Sequence, residues 1–253
     1  MNTTLSAAQS RISISIAFLL SSALLLTSCQ SSSSSAELTH ELAPFPTLMI
    51  DNGDGFVVIA HRGASGYAPE NTMPAMELAY EMNAEMIEVD VMLSSDGVPV
   101  LFHDAKVDEL TNGSGNLKEF TLQELQALDA GSWFDEAYAG TTIPTLEELL
   151  MWAQDKMTLN IEIKTEAYRE VLSESVEPRV VALVEQYDMS DQVLFSSFDY
   201  RILARLKELA PSIPAAVLYE PVQSARKGPL AVVNSLQADG FNCSVREYSE
   251  QWQ

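Results

Sequence analysis

Val57-Val58-Ile59-Ala60-His61-Arg62-Gly63, Met86-Ile87-Glu88-Val89-Asp90-Val91 and Val98-Pro99-Val100-Leu101-Phe102-His103-Asp104 are three short apolar runs. Each delivers ionisable residues at or near its C-terminal end, which is how parallel β/α folds build a site. Two histidines and two carboxylates are therefore aimed at one rim.

The middle run shows the physical logic most plainly. Glu88 and Asp90 are two residues apart, so on a strand their side chains leave by the same face, with Ile87, Val89 and Val91 on the other. An inward-facing carboxylate pair is expensive without a cation or hydrogen-bond partners. Hard divalent ions are the usual occupants of such oxygen sites. Taken alone, the pair fits equally well an edge strand with its acids in solvent.

A second strand with the same grammar shifts the balance. In Thr158-Leu159-Asn160-Ile161-Glu162-Ile163-Lys164 the residues Asn160, Glu162 and Lys164 share a face, with Leu159, Ile161 and Ile163 opposite. Glu162 can complete a three-carboxylate cation site. Lys164 beside it supplies a point positive charge for an anionic substrate oxygen.

These words, with Pro69-Glu70-Asn71-Thr72, the Asp96-Gly97 turn, Thr111-Asn112-Gly113-Ser114-Gly115 and Ile143-Pro144-Thr145-Leu146-Glu147-Glu148, resemble the glycerophosphodiester phosphodiesterases over residues 57 to 245. The motifs agree in order and spacing, whereas a lone His-Arg-Gly would mean little. The resemblance implies a TIM (β/α)8-type barrel, one divalent cation (calcium or magnesium) on Glu88, Asp90 and Glu162, and catalysis by His61 and His103. Its implied substrate contacts are Arg62, Asn71, Lys164 and Phe198. Members of the family form a cyclic glycerol phosphate that is then hydrolysed, giving glycerol 3-phosphate and an alcohol. Small glycerophosphodiesters are thus the expected partners, and no protein partner is implied.

The remainder of the chain reads as scaffold. Its 253 residues suffice for one sizeable core. Fourteen basic against 36 acidic residues give a formal charge of -22, which argues against nucleic-acid binding. Residues 1–28 read as a bacterial lipoprotein signal peptide: Arg11 is followed by the apolar Ile12 to Leu26 and by Leu26-Thr27-Ser28-Cys29, which resembles a lipobox. Cys29 is then the lipidated residue, its anchor is the only membrane contact, and the cell envelope is the expected location. In a host with two membranes that means the outer membrane or the periplasmic face. Residues 29–55 form a Ser-rich tether and lead-in, and 56–253 the catalytic domain. Cys243 is left without a disulfide partner and reads as a small hydrophobe.

Along the domain, helices are predicted over Asn71 to Met82 (capped by Asn71 or Thr72), near Leu122 to Leu128, after Thr145, from Pro178, and over Tyr200 to Leu209. Thr145 with Glu148 has the grammar of a capping box. Further strands are predicted over Gln192 to Phe198, Ile213 to Tyr219 and Ala238 to Cys243. Asp104 to Pro144 reads as an insertion after strand 3, in which Trp133 and Phe134 either line the substrate pocket or pin a lid to the rim. Counted this way, the chain is expected to lack the last barrel strand and to leave two open sheet edges. Two other functions fit the same residues: a non-catalytic phosphodiester-binding lipoprotein or inactive fragment, and a lysophospholipase D-like activity on membrane lipids.

Overall fold

The computed structural model describes residues 57–244. The leader and Cys29, the tether of 29–55 and the final residues 245–253 lie outside the described residues. The chain runs β1 (Ile59–His61), α1 (Met73–Glu81), β2 (Met86–Leu93), β3 (Pro99–Leu101), α2 (Leu122–Gln126), α3 (Leu146–Ala153), β4 (Thr158–Ile163), α4 (Glu177–Gln186), β5 (Val193–Ser197), α5 (Tyr200–Leu209), β6 (Ala215–Leu218), α6 (Pro229–Leu236) and β7 (Gly240–Asn242).

The strands β1-β2-β4-β5-β6-β7 lie side by side in that order, every neighbouring pair parallel. Helices connect them, as a parallel crossover requires. This is the curled sheet of a (β/α)8-type barrel. Among the described residues, β1 and β7 have no second strand neighbour.

Val98 to His103, read from sequence as a third barrel strand, is different in kind. Its ordered part, β3, pairs antiparallel with β2 through Val91↔Leu101, Met92↔Val100 and Leu93↔Pro99. The reason lies in the connection: Ser94 to Gly97 is a tight turn, with the Gly97 N–H on the Ser94 carbonyl, and a parallel return needs a crossover of a dozen residues or more. Val91 also pairs with Ile163 of β4, so β3 occupies the other edge of β2, the one that β1 pairs with as far as Glu88. The strand expected over Ala238 to Cys243 is accordingly the sixth parallel strand, where counting Val98 to His103 as a barrel strand would have made it the seventh.

Burial follows the alternation. Every residue of β2 and of β4 is buried, so both faces of these strands are covered and the solvent-edge alternative for Glu88 and Asp90 is excluded. One face is the main core, where Ile87, Val89, Val91, Leu159, Ile161 and Ile163 pack against Met76 of α1, Leu146, Leu149 and Leu150 of α3, Val180 and Val184 of α4, and Ile202 and Leu206 of α5. The opposite face carries Glu88, Asp90, Asn160 and Glu162. In α3 the buried residues Leu146, Leu149, Leu150 and Ala153 form one helical stripe. Thr145 starts that helix with the full capping box: its hydroxyl accepts from the Glu148 N–H at 3.1 Å, and Glu148 accepts from the Thr145 N–H at 2.7 Å.

The insertion between β3 and α3 has a small core of its own, in which Val107, Leu117, Leu125 and Ile143 cover Met92, Val100 and Phe102. Thr121 and Glu124 cap α2 with a second capping box. The aromatic residues clip this insertion to the rim. Trp133 and Phe134 meet edge to face at 5.6 Å, Phe134 and Tyr138 at 5.9 Å, and the Tyr138 hydroxyl donates to the Tyr67 carbonyl at 3.0 Å. Tyr67 belongs to the β1–α1 loop, which holds much of the site. Cys243 is half-buried and packs against the main core.

Candidate active site

The site is assembled at the C-terminal ends of β1, β2, β3 and β4. Register brings the acids together: the parallel pairing sets Glu88 opposite Asn160 and Asp90 opposite Glu162, while β1 sets His61 opposite Glu88. One carboxylate oxygen from each of Glu88, Asp90 and Glu162 lies within 4.8 Å of the others, and all three residues are buried.

Two cations hold this charge. The Lys164 ammonium sits 3.2 Å from Asp90 Oδ1 and 3.0 Å from Glu162 Oε1. Arg62 makes three contacts. Its backbone N–H donates to Glu88 Oε2 at 2.9 Å, its Nη1 donates to Glu70 Oε1 at 2.8 Å, and its Nε lies 3.2 Å from Asp90 Oδ2. Asn71 completes the frame by donating its amide to Asp90 Oδ2 at 2.9 Å and accepting the Asp90 N–H at 3.1 Å. Arg62 and Asn71 both have left-handed backbone, with φ of 57° and 55°, which side-chain-bearing residues seldom adopt. Such strain concentrates where surrounding structure over-determines the geometry. Gly63 follows with φ 76°, and any Cβ there would come within 2.9 Å of Ala75.

The cap expected at α1 is not made, because both candidate side chains are engaged elsewhere. Thr72 occupies the N-cap position, but its hydroxyl donates to the Pro69 carbonyl. Asn71 is committed to Asp90.

Both imidazoles border the cluster. His61 Nε2 is 3.9 Å from Glu88 Oε2, with the ring largely exposed. His103, just past β3, pairs its Nδ1 with Asp104 at 2.6 Å and follows Phe102, whose N–H donates to the Asp90 carbonyl at 3.0 Å. Partial burial, and after it the Arg62 guanidinium, hold the His61 imidazole below its ordinary pKa, against the opposite pull of Asp90 and Glu70. Phe198 follows β5 on the same rim, half-buried, and its carbonyl accepts a hydrogen bond from Gln223. Trp133 is 40% exposed, yet it also lines a small cavity with Glu70, Asn71 and Thr72, so it touches both the lid and the rim.

The electrostatics of the acids point to a missing positive charge. Burial, then the neighbouring Asp90 carboxylate, push Glu88 up to about 8, despite the Arg62 N–H that favours its ionised form. Burial likewise raises Glu162, against the attraction of Lys164. For Lys164, burial acts against the ammonium, but Asp90 and Glu162 outweigh it and keep its pKa above the usual value. Glu88 Oε1 is buried with no hydrogen-bond partner among the described residues. An orphaned carboxylate oxygen beside two further acids is a donor set suited to a hard divalent cation.

Two residues escaped assignment in the sequence. Glu70 stands inside the quoted Pro69 to Thr72 word, but only the fold shows that it grips Arg62. Asp104 was quoted without a role, and its adjacency to His103 was the signal available. Asn160 was read only as sharing the face of Glu162, and it accepts a hydrogen bond from Ser196 at 2.8 Å.

A buried three-carboxylate cluster flanked by imidazoles and basic side chains, at the mouth of a β/α sheet, is the arrangement expected of a barrel enzyme that acts on anionic substrates. The model of the glycerophosphoryl diester phosphodiesterase family matches residues 61–252, and the chain belongs to that family. A glycerophosphodiester phosphodiesterase of Caldanaerobacter subterraneus is 42% identical over 165 residues, which cover 65% of this chain and 67% of that protein. One from Bacillus altitudinis is 40% identical over 191 residues, covering 75% and 76%. Among solved structures, an Oleispira antarctica phosphodiesterase in complex with the product sn-glycerol-3-phosphate superposes with a TM-score of 0.70 at 37% identity, over 78% of each chain. The chain spans about two thirds of the length of the first curated relatives it matches, at 66%, 67% and 62%.

The raised Glu88 carboxyl has a consequence for stability. In the metal-free protein it holds its proton up to about pH 8, whereas an unfolded glutamate ionises near 4.5. Folding stability is therefore drawn down as pH rises from about 4.5 towards 8 and is level above that. Glu88→Gln removes this penalty. In chelator, its free energy of unfolding is expected to exceed that of the unsubstituted protein at pH 8.5, by on the order of a few kcal/mol, and the difference is expected to vanish as pH falls below about 4.5. A variant less stable at pH 8.5 would contradict the assignment.

Proposed function

We propose that this protein hydrolyses glycerophosphodiesters to sn-glycerol 3-phosphate and an alcohol, with a divalent cation held by Glu88, Asp90 and Glu162. The observation that carries the reading is the buried carboxylate cluster, with its orphaned Glu88 oxygen, His61 beside Glu88 and His103 one residue past the Phe102 that bonds the Asp90 carbonyl. A relative solved with sn-glycerol-3-phosphate, at the same fold and 37% identity, supports the substrate class. Calcium and magnesium both suit an all-oxygen donor set.

When bound by Glu88, Asp90 and Glu162, a divalent cation would supply Lewis-acid stabilisation of charge on the phosphate oxygens. The chain's own residues do the rest. Arg62 and Lys164 bind the non-bridging oxygens, the first through a planar fork and the second as a point charge. One imidazole takes the proton from the attacking oxygen as the new P–O bond forms. The other, as imidazolium, gives a proton to the leaving oxygen as the old P–O bond breaks. Pairing with Asp104 fixes the His103 ring and leaves its Nε2 for proton transfer. Lowered basicity favours the neutral form of His61, the one that accepts a proton. Asn71 acts by orienting Asp90. Phe198, on the neighbouring β5 rim, would meet the alcohol arm.

Turnover of glycerophosphocholine by the purified protein, followed as sn-glycerol 3-phosphate release, tests this directly. Calcium or magnesium should support it and a chelator should abolish it. His61→Ala and His103→Ala should each lower kcat by about 10²- to 10⁴-fold with unchanged thermal stability. Saturable substrate binding without product would favour a non-catalytic binding lipoprotein, and preference for lysophospholipid over glycerophosphocholine would favour the lysophospholipase D-like reading.

Attachment to the cell envelope through a lipid on Cys29 is likewise proposed, on the Leu26-Thr27-Ser28-Cys29 word. Labelled fatty acid fed to expressing bacteria should enter the protein and be lost in Cys29→Ser. Equal labelling of the two would end this proposal.

A further inference from the structure

Resting on the function proposed above, we infer that Glu70 is a positioning residue for phosphate binding, acting through Arg62. Arg62 is constrained at each end of its backbone: its N–H donates to Glu88 at 2.9 Å, and its carbonyl accepts the Asn71 N–H at 3.1 Å. Its backbone is left-handed (φ 57°), and its side chain reaches from Asp90 to Glu70 at the edge of the acidic cluster. What the backbone leaves undecided is the orientation of the guanidinium. Glu70 decides it, with Oε1 accepting from Nη1 at 2.8 Å.

The geometry of the fork explains why a second acid is needed. The nearest alternative partner is Asp90, whose Oδ2 lies 3.2 Å from Arg62 Nε but without the alignment of a hydrogen bond, since Nε is unpartnered among the described residues. A guanidinium free to rotate would close on Asp90 with two parallel N–H donors, the preferred Arg–carboxylate arrangement. That would use up the phosphate-binding edge and compete for a carboxylate of the cation site. Glu70 holds the fork at Nη1, so that Nε stays at ion-pair distance from Asp90 without closing on it as a two-donor fork. The remaining amino group, Nη2, donates no hydrogen bond among the described residues and is left for a substrate oxygen. Both side chains are shielded, at 19% and 18% exposure, so the pair is not a freely solvated surface bridge.

The same loop carries out two tasks with adjacent residues: Glu70 fixes Arg62, and Asn71 fixes Asp90. The aromatic clip from Tyr138 to Tyr67 and the cavity shared by Trp133, Glu70 and Asn71 tie that loop to the insertion. The side chain that presents the phosphate clamp is thus supported from the lid.

Glu70→Gln, which keeps size and an acceptor oxygen but removes the charge, is compared with the unsubstituted chain in the wild-type and Arg62→Met backgrounds. The readouts are KM and kcat on glycerophosphocholine, and calorimetric Kd values for sn-glycerol 3-phosphate and for magnesium. In the Arg62 background, KM and the Kd for sn-glycerol 3-phosphate should rise about tenfold or more, with kcat changed less than about threefold. Magnesium should also bind more weakly. In the Arg62→Met background the second substitution should change none of these. Equal effects in both backgrounds, or a lowered melting temperature with KM and both Kd values unmoved, would overturn the role of Glu70. An unsubstituted chain that neither turns over substrate nor binds magnesium would instead overturn the proposed function itself.

Discussion

Three carboxylates with oxygens within 4.8 Å of one another, on strands buried on both faces, are the constraint around which this structure is arranged. Like charges at that separation repel strongly when water is excluded. The fold answers with Lys164 between Asp90 and Glu162, Arg62 across Glu88 and Asp90, and the Asn71 amide on Asp90. The compensation is incomplete at Glu88, whose Oε1 has no partner among the described residues and whose carboxyl is pushed up to about 8. A divalent cation would remove that imbalance, and strands packed on both faces hold the acids in place for it. Destabilising a site locally and supporting it by packing elsewhere is how such centres persist.

The support is the main core. Ile87, Val89 and Val91 alternate with Glu88 and Asp90 along β2, so the residues that anchor the strand to its helices also aim the acids at the other face. Parallel register with β4 then places Glu162 beside Asp90. Both histidines arrive from neighbouring strands, His61 at the end of β1 and His103 just past the antiparallel arm β3. That arm gives the site its asymmetry. By pairing with the end of β2 beyond Glu88, it sends the chain into an insertion that folds on its own core and clips back to the β1–α1 loop through Tyr138.

Much of this was legible in the sequence, and the part that was not has physical reasons. Period-two alternation gave the shared face of Glu88 and Asp90 and that of Asn160 and Glu162, because side-chain direction on a strand is a local property. The Thr145–Glu148 capping box was legible for the same reason, and the matching Thr121–Glu124 pair went unread although it has the same grammar. The helix α6 was also missed, and Pro229 at its start was the signal. Strand direction at β3 was misjudged because an apolar run ending in histidine looks alike in either direction; only the length of the preceding turn discriminates. The grip of Glu70 on Arg62, and the use of Asn71 on Asp90 instead of as a helix cap, depend on left-handed backbone at two residues that are not glycine. No local pattern announces that conformation, since tertiary contacts impose it. Family resemblance carried the substrate class, which composition and periodicity alone do not reach.

The central claim is that Glu88, Asp90 and Glu162 form one cation site. Crystals of the protein soaked in manganese, a divalent ion that shares the preference for oxygen ligands, allow anomalous scattering to locate it. The expected result is a single strong peak within about 2.0–2.6 Å of one oxygen from each of the three carboxylates, abolished in Glu88→Gln/Glu162→Gln. A peak elsewhere with none among these oxygens, or well-ordered density for the three acids with no anomalous signal at saturating manganese, would contradict it.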